Sequence, residues 1–156
     1  MRIGVFVDVQ NIYYTTRQRF GRQFNYRQLW QDISYQGDIV VANAYAIARN
    51  DDQQIKFQDA LKHIGFNVKL KPYIQRADGS AKGDWDVGIA IDVIEAAAEV
   101  DKVILLSGDG DFDLLLTHIK SKYAVTTEVH GVEDLSARSL LDAADSFKPI
   151  IEDRLL

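Results

Sequence analysis

The segment from Lys102 to Leu116 constrains the fold more than any other part of the chain. Its run Val103–Leu106 contains only β-branched and leucine residues. The run is too short for an independent helix and predicts a strand buried on both faces. Small residues and a helical apolar run follow, which places Asp109, Asp111 and Asp113 at one strand end. Because crowded carboxylates repel one another unless they share a cation or a proton, the segment predicts a divalent-metal site for phosphodiester chemistry.

Strands and helices alternate along the rest of the chain. Apolar segments predict strands at 3–8, 39–47, 67–70, 103–107 and 124–129, with a short additional strand at 147–151. We therefore expect an α/β fold, a three-layer α/β/α sandwich around a mainly parallel sheet with strand order about 3-2-1-4-5. The chain has 156 residues and no repeat or linker, so 1–156 is predicted to be one domain.

The helix predicted between the second and third strands has clear boundary signals. Asp51 and Asp52 are typical of a helix start, and Gly65 is typical of a helix end. The apolar spacing predicts that Ile55, Ala60, Leu61 and Ile64 face the core. The segment 72–83, which is rich in glycine and proline, is predicted to be a loop.

Acidic residues from distant segments are predicted to meet at one edge of the sheet. Crossovers between parallel strands are right-handed, and ligands bind where the strand order reverses, at the carboxyl ends of the strands. Strands one and four are neighbours there; Asp8 ends the first and Asp109 follows the other. A helix beginning near Asp84 starts at the same edge and carries Asp86 in its first turn. We expect Asp8, Asp86 and Asp109 to lie together, with Asp111 starting the next helix.

Composition limits the class of protein. A net charge of −5 and a pI near 5.1 argue against a protein that coats DNA by neutralising phosphates, although they are compatible with a nuclease. The absence of cysteine excludes thiolate metal sites and is typical of a cytoplasmic protein. The N-terminus resembles a first strand rather than a signal peptide, and no apolar run approaches the roughly 18 residues of a membrane span.

Several of the acids have alternative structural explanations. Asp111 and Asp84 are equally compatible with helix caps, and Asp113 with a solvated helix residue. Asp92 points away from Asp86 on a helix, which favours a supporting role or a basic partner. Asp8 follows an apolar strand and has no evident structural purpose, so we interpret it as functional. The spacing of Asp109, Asp111 and Asp113 imitates a calcium-binding EF-hand loop, but the required glycine and glutamate are Leu114 and Lys120.

Three motifs together resemble a known family. They are Asp8 with Asn11, the segment Lys82-Gly-x-x-Asp86-Val-Gly-Ile-Ala-Ile-Asp92, and the segment Ser107-Gly-Asp-Gly-Asp-Phe112. Over about residues 3–147 the chain resembles the NYN domain, and in particular the LabA-like branch of the PIN-like nuclease superfamily. The resemblance implies a three-layer, Rossmann-like α/β/α fold and a pocket of four acids that binds Mg²⁺ or Mn²⁺ for hydrolysis of RNA.

Carried over by motif, the implied catalytic and metal-binding residues are Asp8, Asp86, Asp109 and Asp111, with Asn11 and Ser107 as polar support that contacts nucleic acid. The implied activity is that of a metal-dependent endoribonuclease. Many relatives have glycine after the first aspartate, whereas this chain has Val9. We expect that substitution to narrow access for the substrate.

Basic residues are candidates for contacts with single-stranded RNA. Lys82 precedes Asp86, Arg49 follows the second strand, and Arg19 and Arg22 belong to the arginine-rich segment 17–27. Aromatic residues in that segment could stack on bases. The alternative is a solvated helix face with buried aromatic residues. Trp85 has the same two interpretations, base stacking or core packing.

Two other functions stay open from the sequence alone. One is a noncatalytic RNA-binding or regulatory protein that retains the acidic pocket. The other is a metal-dependent phosphatase acting on small phosphoesters. A homodimer is compatible with the sequence, and no contact with a membrane is expected.

Overall fold

Parallel strands form the central sheet. The computed structural model describes residues 1–48, 51–72, 74–75, 81–82 and 84–156. Within these ranges the strands of the sheet are β1 (Arg2–Asp8), β2 (Asp38–Ala48), β3 (Asn67–Pro72), β6 (Lys102–Leu106), β7 (Thr126–Gly131) and β8 (Ser146–Pro149). They lie in the order β3-β2-β1-β6-β7-β8, and every neighbouring pair is parallel. The predicted order is confirmed, with β8 as a sixth strand beside β7.

A small antiparallel pair lies outside this sheet. It is formed by β4 (Ile74–Gln75) and β5 (Ala81–Lys82). The segment 72–83, which we predicted to be a loop, therefore contains a two-stranded ribbon. Its glycine and proline content obscured two strands that are only two residues long.

Six helices connect the strands of the described chain. They are α1 (Val9–Phe20), α2 (Tyr26–Ser34), α3 (Asp52–Ile64), α4 (Asp86–Ala97), α5 (Asp113–Tyr123) and α6 (Arg138–Ala143). Short 3-10 turns cover Gly110–Phe112, Glu133–Leu135 and Glu152–Arg154. Asp51 caps α3 as predicted, since its carboxylate accepts a hydrogen bond from the Gln54 amide at 2.7 Å. No helix in these ranges is long and apolar enough to cross a bilayer.

Two hydrophobic cores confirm the three-layer arrangement. Residues of β1 alternate between them: Val5 and Val7 join the core under α1, α2 and α3, whereas Phe6 joins the core under α4, α5 and α6. In β6, Leu105 and Leu106 divide between the two cores in the same way. Apolar side chains at successive positions of a strand are buried on opposite faces only when both faces are covered.

The predicted inner face of α3 was partly wrong. Leu61 is buried, but Ile55 is 50% exposed and Ala60 is exposed as well. At 100° per residue, Ile55 lies about 120° around the helix from Leu61, outside the buried stripe. Gln58 is buried there instead.

Candidate metal centre at the carboxyl edge of the sheet

The ends of β1 and β6 position Asp8 beside Ser107. Val7 pairs with Leu106 in the parallel register, so the following residues are side by side. The Ser107 hydroxyl donates a hydrogen bond to the Asp8 carboxylate at 3.1 Å. The strand order reverses at β1, so this edge is the switch point where open α/β sheets bind ligands.

Asn11 and Ser107 fix the turn that follows β6. The side-chain oxygen of Asn11 accepts a hydrogen bond from the Gly108 amide at 2.9 Å. The Ser107 hydroxyl accepts one from the Asp109 amide at 3.1 Å, and Asp109 in turn accepts one from the Asp111 amide at 2.9 Å. Ser107 is completely buried, so it supports Asp8 and the turn and does not lie on a surface that nucleic acid could reach. The turn holds Asp109 and Asp111 in fixed positions.

Gly108 permits a close approach of two segments in this turn. A Cβ atom at this position would lie 2.8 Å from the Ser136 hydroxyl and 2.9 Å from the Leu135 carbonyl oxygen. The Gly108 carbonyl also accepts a hydrogen bond from the Ala137 amide at 2.9 Å. The segment before α6 therefore packs directly on the aspartate turn, and any larger residue at Gly108 would separate them.

The start of α4 brings Asp86 to the same edge. The Asp84 carboxylate accepts a hydrogen bond from the Asp86 amide at 3.1 Å, but the N-cap residue of α4 is Trp85, one residue after the predicted cap Asp84. The Trp85 indole donates to the Ala46 carbonyl at 2.9 Å, and its ring packs beside Tyr45 with centroids 5.3 Å apart. The core-packing alternative is therefore confirmed for Trp85, and it anchors the start of α4 to β2.

Three of the four predicted acids form one compact group. Asp86, Asp109 and Asp111 each offer a carboxylate oxygen, and these oxygens all lie within 4.8 Å of one another. Asp8 borders the group without belonging to it. We call these four residues the acidic cleft. Oxygen donors so arranged are the ligands that Mg²⁺ and Mn²⁺ prefer, and the residues present therefore fit a hard divalent cation.

The environment of Asp8 raises its pKa. Burial is the main cause, and repulsion by Asp109 and Asp84 adds to it. Hydrogen bonds from the Asn11 amide and the Ser107 hydroxyl oppose the change, and the resulting pKa is about 6. Asp8 therefore carries a proton more readily than an ordinary aspartate when no cation is near.

Asp86 is shifted further, to a pKa of about 7. Burial is the first cause, followed by a hydrogen bond with the Asp109 carboxyl and by repulsion from Asp109, Asp84 and Asp8. None of the ion pairs found within the described ranges involves a residue of the acidic cleft. Within the described part of the chain, the acids of the cleft therefore face one another, and none of them forms an ion pair with a basic side chain.

Sequence reasoning missed the electrostatic contribution of Asp84. The residue is exposed, yet its charge raises the pKa of both Asp8 and Asp86. Its position two residues before Asp86, at a helix start, could have indicated that its charge acts on the cleft. Lys71 was also missed: it donates to the Asp84 carbonyl at 3.2 Å and lies 4.5 Å from the Trp85 ring centroid.

Asp92 has the supporting role predicted for it. Its carboxylate accepts hydrogen bonds from the Lys69 ammonium at 2.7 Å and from the Tyr45 hydroxyl at 2.8 Å. Tyr45 is the residue opposite Asp8 in the register of β1 and β2. Asp92 therefore joins α4 to β2 and β3 next to the cleft.

The arginine candidates contact other parts of the protein. Arg19 forms an exposed ion pair with Asp134 at 3.2 Å, and Arg22 donates to the Leu156 carbonyl at 2.9 Å. The aromatic residues of the same segment include Phe24 and Tyr26, which are buried. The alternative of buried aromatic residues is therefore confirmed for these two, and the contact of Arg19 and Arg22 with RNA stays a prediction.

The other two basic candidates are not fully described. Arg49 lies outside the described residues, and so does the side chain of Lys82, whose backbone belongs to β5. Val9, the residue predicted to narrow access, is the first residue of α1 and is buried.

Solved structures and a curated relative resemble this chain. A protein of unknown function from Vibrio parahaemolyticus RIMD 2210633, VPA0982, matches it with a TM-score of 0.95 and 52% identity, covering 99% of this chain and 96% of that one. The protein "Low amplitude and bright protein LabA" of Synechococcus elongatus is 29% identical over 154 residues, covering 94% of this chain and 82% of the relative.

A more distant likeness shows the fold alone. Ribokinase from Giardia lamblia matches with a TM-score of 0.52 and 12% identity, covering 95% of this chain and 57% of the enzyme. The family model described as "NYN domain" matches residues 2–151, which include every residue of the acidic cleft. The chain therefore belongs to the NYN domain family.

Proposed function

We propose that this protein is a metal-dependent endoribonuclease that hydrolyses phosphodiester bonds of single-stranded RNA with Mg²⁺ or Mn²⁺ at the acidic cleft. The observation that carries the proposal is the meeting of Asp86, Asp109 and Asp111 within 4.8 Å, beside Asp8. Membership of the NYN domain family, a nuclease-like family, supports it.

Three of the acids are suited to hold the cation. Asp109 and Asp111 extend from one rigid turn, and Asp86 faces them from the start of α4. A bound divalent cation would neutralise charge on the phosphate and lower the pKa of a bound water. The pKa of Asp86 is raised to about 7, so binding of a cation would favour its ionised form.

Asp8 is suited to act as the general base. It lies beside the three-carboxylate group rather than within it, and its pKa is about 6 when no cation is bound. A cation bound by the neighbouring acids would favour the ionised carboxylate, which is the form that accepts a proton. The Ser107 hydroxyl and the Asn11 amide hold the carboxylate in place, so it would orient an attacking water and accept its proton.

The surroundings of the cleft are compatible with access by a nucleic acid. The cleft lies at an open edge of the sheet, where Asp111 is exposed and Asp86 and Asp109 are partly exposed. Arg19 is held only by a surface ion pair, which contributes at most about 1 kcal/mol, so a phosphate could displace Asp134. Ionic contacts of this kind guide a nucleic acid without fixing its sequence.

The test is cleavage of labelled single-stranded and structured RNAs with Mn²⁺, Mg²⁺ or a chelator. We expect internal cleavage that requires the cation and favours single strands. Asp8→Asn should lose cleavage while retaining the fold. A protein that binds these RNAs but never cleaves them with either cation would be the noncatalytic alternative.

A further inference from the structure

We propose that a pocket between α1 and α3 binds one unpaired base of the RNA. The inference rests on the proposed ribonuclease function and names the part of the substrate that this neighbouring surface would recognise. The pocket has a volume of about 200 Å³ and is open to solvent. We call it the α1–α3 pocket; its described walls come from the first half of α1, Gln23 in the segment after α1, the end of β2 and the first half of α3.

The α1–α3 pocket adjoins the acidic cleft. Val9 and Gln10, which line it, directly follow Asp8 in the chain. Ala46, also in its wall, follows Tyr45, the residue opposite Asp8 in the sheet. Adjacent strands are about 4.8 Å apart, so these residues lie next to Asp8.

A second contact joins the pocket to Asp86. The indole of Trp85, the residue before Asp86, donates to the carbonyl of Ala46 at 2.9 Å. The pocket therefore borders the cleft through two independent connections, one to each of two acids. A chain whose phosphate lies among the acids would have a neighbouring nucleotide within reach of the pocket.

Two tyrosines at the rim offer surfaces for stacking. Tyr13 and Tyr14 are 40% and 50% exposed, and their rings meet edge to face with centroids 5.4 Å apart. Arg17 donates to the Tyr13 hydroxyl at 3.0 Å and so fixes that ring. Exposed aromatic rings beside a nuclease site are typical platforms for unpaired bases.

The inner surface has the chemistry of a base rather than of a phosphate. None of its described lining residues carries a formal charge. Val9, Ile47 and Phe57 supply apolar surface for the face of a heterocycle. An isolated phosphate would find no cation among these side chains, whereas a flat, neutral ring would be in contact with apolar and aromatic atoms.

Four glutamines supply hydrogen-bonding groups for the edge of such a ring. They are Gln10, Gln23, Gln53 and Gln54. Each carboxamide has both donors and an acceptor, and side-chain amides pair well with base edges. Within the part of the chain that the structure describes, none of these four amide groups is recorded in a hydrogen bond.

The experiment measures base-dependent binding by fluorescence anisotropy. The probes are single-stranded RNA homopolymers of A, C, G and U and an abasic ribose–phosphate oligomer of equal length, in chelator so that nothing is cleaved. The four homopolymers and the abasic oligomer carry the same number of phosphates. Repulsion by the acidic cleft therefore affects all of them equally and cancels in the ratio of the affinity for a homopolymer to the affinity for the abasic oligomer. We expect at least one homopolymer to bind about tenfold more tightly than the abasic oligomer.

Variants locate that preference in the pocket. Tyr14→Ala should reduce it by about tenfold, since base stacking on an aromatic ring contributes about 1–3 kcal/mol. The matched control is Tyr35→Ala, a tyrosine that is 91% exposed and precedes β2 at the opposite end of the sheet. The double variant Gln53→Ala/Gln54→Ala should reduce differences among the four homopolymers while a preference over the abasic oligomer persists. Circular dichroism confirms that each variant is folded.

The outcomes separate this inference from the proposed function. Equal affinity for abasic and base-containing oligomers, or an unchanged base preference in Tyr14→Ala, would show that the α1–α3 pocket does not bind a base, even if Mn²⁺-dependent cleavage is observed. A base preference that Tyr14→Ala abolishes and Tyr35→Ala retains would support the pocket even in a protein that cleaves no RNA.

Discussion

Two groups of acids in this protein have opposite surroundings. Glu128 on β7 is buried between the Lys102 ammonium at 2.9 Å and the His130 ring at 2.7 Å, and Arg154 contacts the other nitrogen of that ring at 2.6 Å. Burial raises the pKa of Glu128, but hydrogen bonds from His130 and Lys102 outweigh it and lower the pKa to about 2. We call this the paired network.

The acidic cleft is the reverse case. Burial is also the main cause of the pKa shifts of Asp8 and Asp86. Here the neighbouring acids add to the effect of burial, and the pKa values rise to about 6 and about 7. Burial of a charge costs free energy in both regions. Among the residues that the structure describes, basic side chains form ion pairs with Glu128 in the paired network and with none of the acids of the cleft. This difference supports the proposal that the cleft binds a cation.

The largest effect is expected from Asp8→Asn on catalysis. The amide keeps the shape of the side chain but cannot accept the proton of an attacking water. Loss of a general base lowers kcat by about 10²- to 10⁴-fold. Single-turnover RNA cleavage in Mn²⁺ measures it, and Asp142→Asn, which removes a carboxylate from an exposed pair at the surface, is the control. Full activity in Asp8→Asn would remove Asp8 from the mechanism.

A substitution in the paired network should lower the free energy of unfolding. Lys102→Met would remove the ammonium partner of Glu128 and leave it the His130 ring and the Ser146 hydroxyl, and breaking a buried pair costs about 3–5 kcal/mol. Urea unfolding measures the loss. The comparison predicts that Asp109→Asn, measured in the same way without cation, is neutral or stabilising, because it removes repulsion. A similar loss of stability in both variants would show that the two regions do not differ.

The two regions should also depend on pH in opposite directions. The raised pKa of Asp8 means that the folded state holds the proton of this carboxyl more tightly than the unfolded state does. The protonated carboxyl therefore contributes to the free energy of unfolding below about pH 4, and this contribution is lost as pH rises through about 6. The loss amounts to up to about 3 kcal/mol. The lowered pKa of Glu128 has the opposite sign: its contribution is present above about pH 4.5 and is lost as pH falls towards about 2.

Unfolding without cation at a series of pH values measures these contributions. The contribution of Asp8, taken as the stability of wild type minus that of Asp8→Asn, should fall between about pH 4 and about pH 7. Identical profiles for the two proteins would contradict the assigned cause.

Cation binding should produce the smallest of the expected effects, an increase in the stability of the folded protein. At a free Mn²⁺ concentration about 100 times the dissociation constant, binding to the folded state adds about 2.7 kcal/mol, which raises Tm by about 5–10 °C. Differential scanning fluorimetry measures it. The shift should be absent in Asp109→Asn and intact in Lys102→Met; a shift that survives in Asp109→Asn would place the cation elsewhere.

Sequence reasoning recovered the sheet because its strands are short apolar runs separated by helices. Asp8 and Asp109 were predicted to lie close together because Asp8 ends β1 and Asp109 follows β6, and parallel strands bring their carboxyl ends to one edge. The paired network was not predicted. Glu128 and His130 stand in a strand of ordinary alternating character, and their partner Lys102 precedes them by a helix and a strand.

Other features depend on side-chain positions that periodicity does not specify. The placement of Asp8 beside the three-carboxylate group follows from its hydrogen bonds to Ser107 and the Asn11 amide, which no spacing encodes. The α1–α3 pocket likewise needs the side chains of three separate segments. Its glutamines carry no charge and form no motif, so nothing in the sequence indicated them.

Anomalous diffraction from crystals grown with Mn²⁺ tests the central claim most directly. We expect one strong manganese peak bonded to carboxylate oxygens of Asp86, Asp109 and Asp111, with Asp8 beside it, and no peak at that place in Asp109→Asn. Wild-type crystals at a saturating Mn²⁺ concentration that show no manganese peak in the cleft would rule out a cation site there.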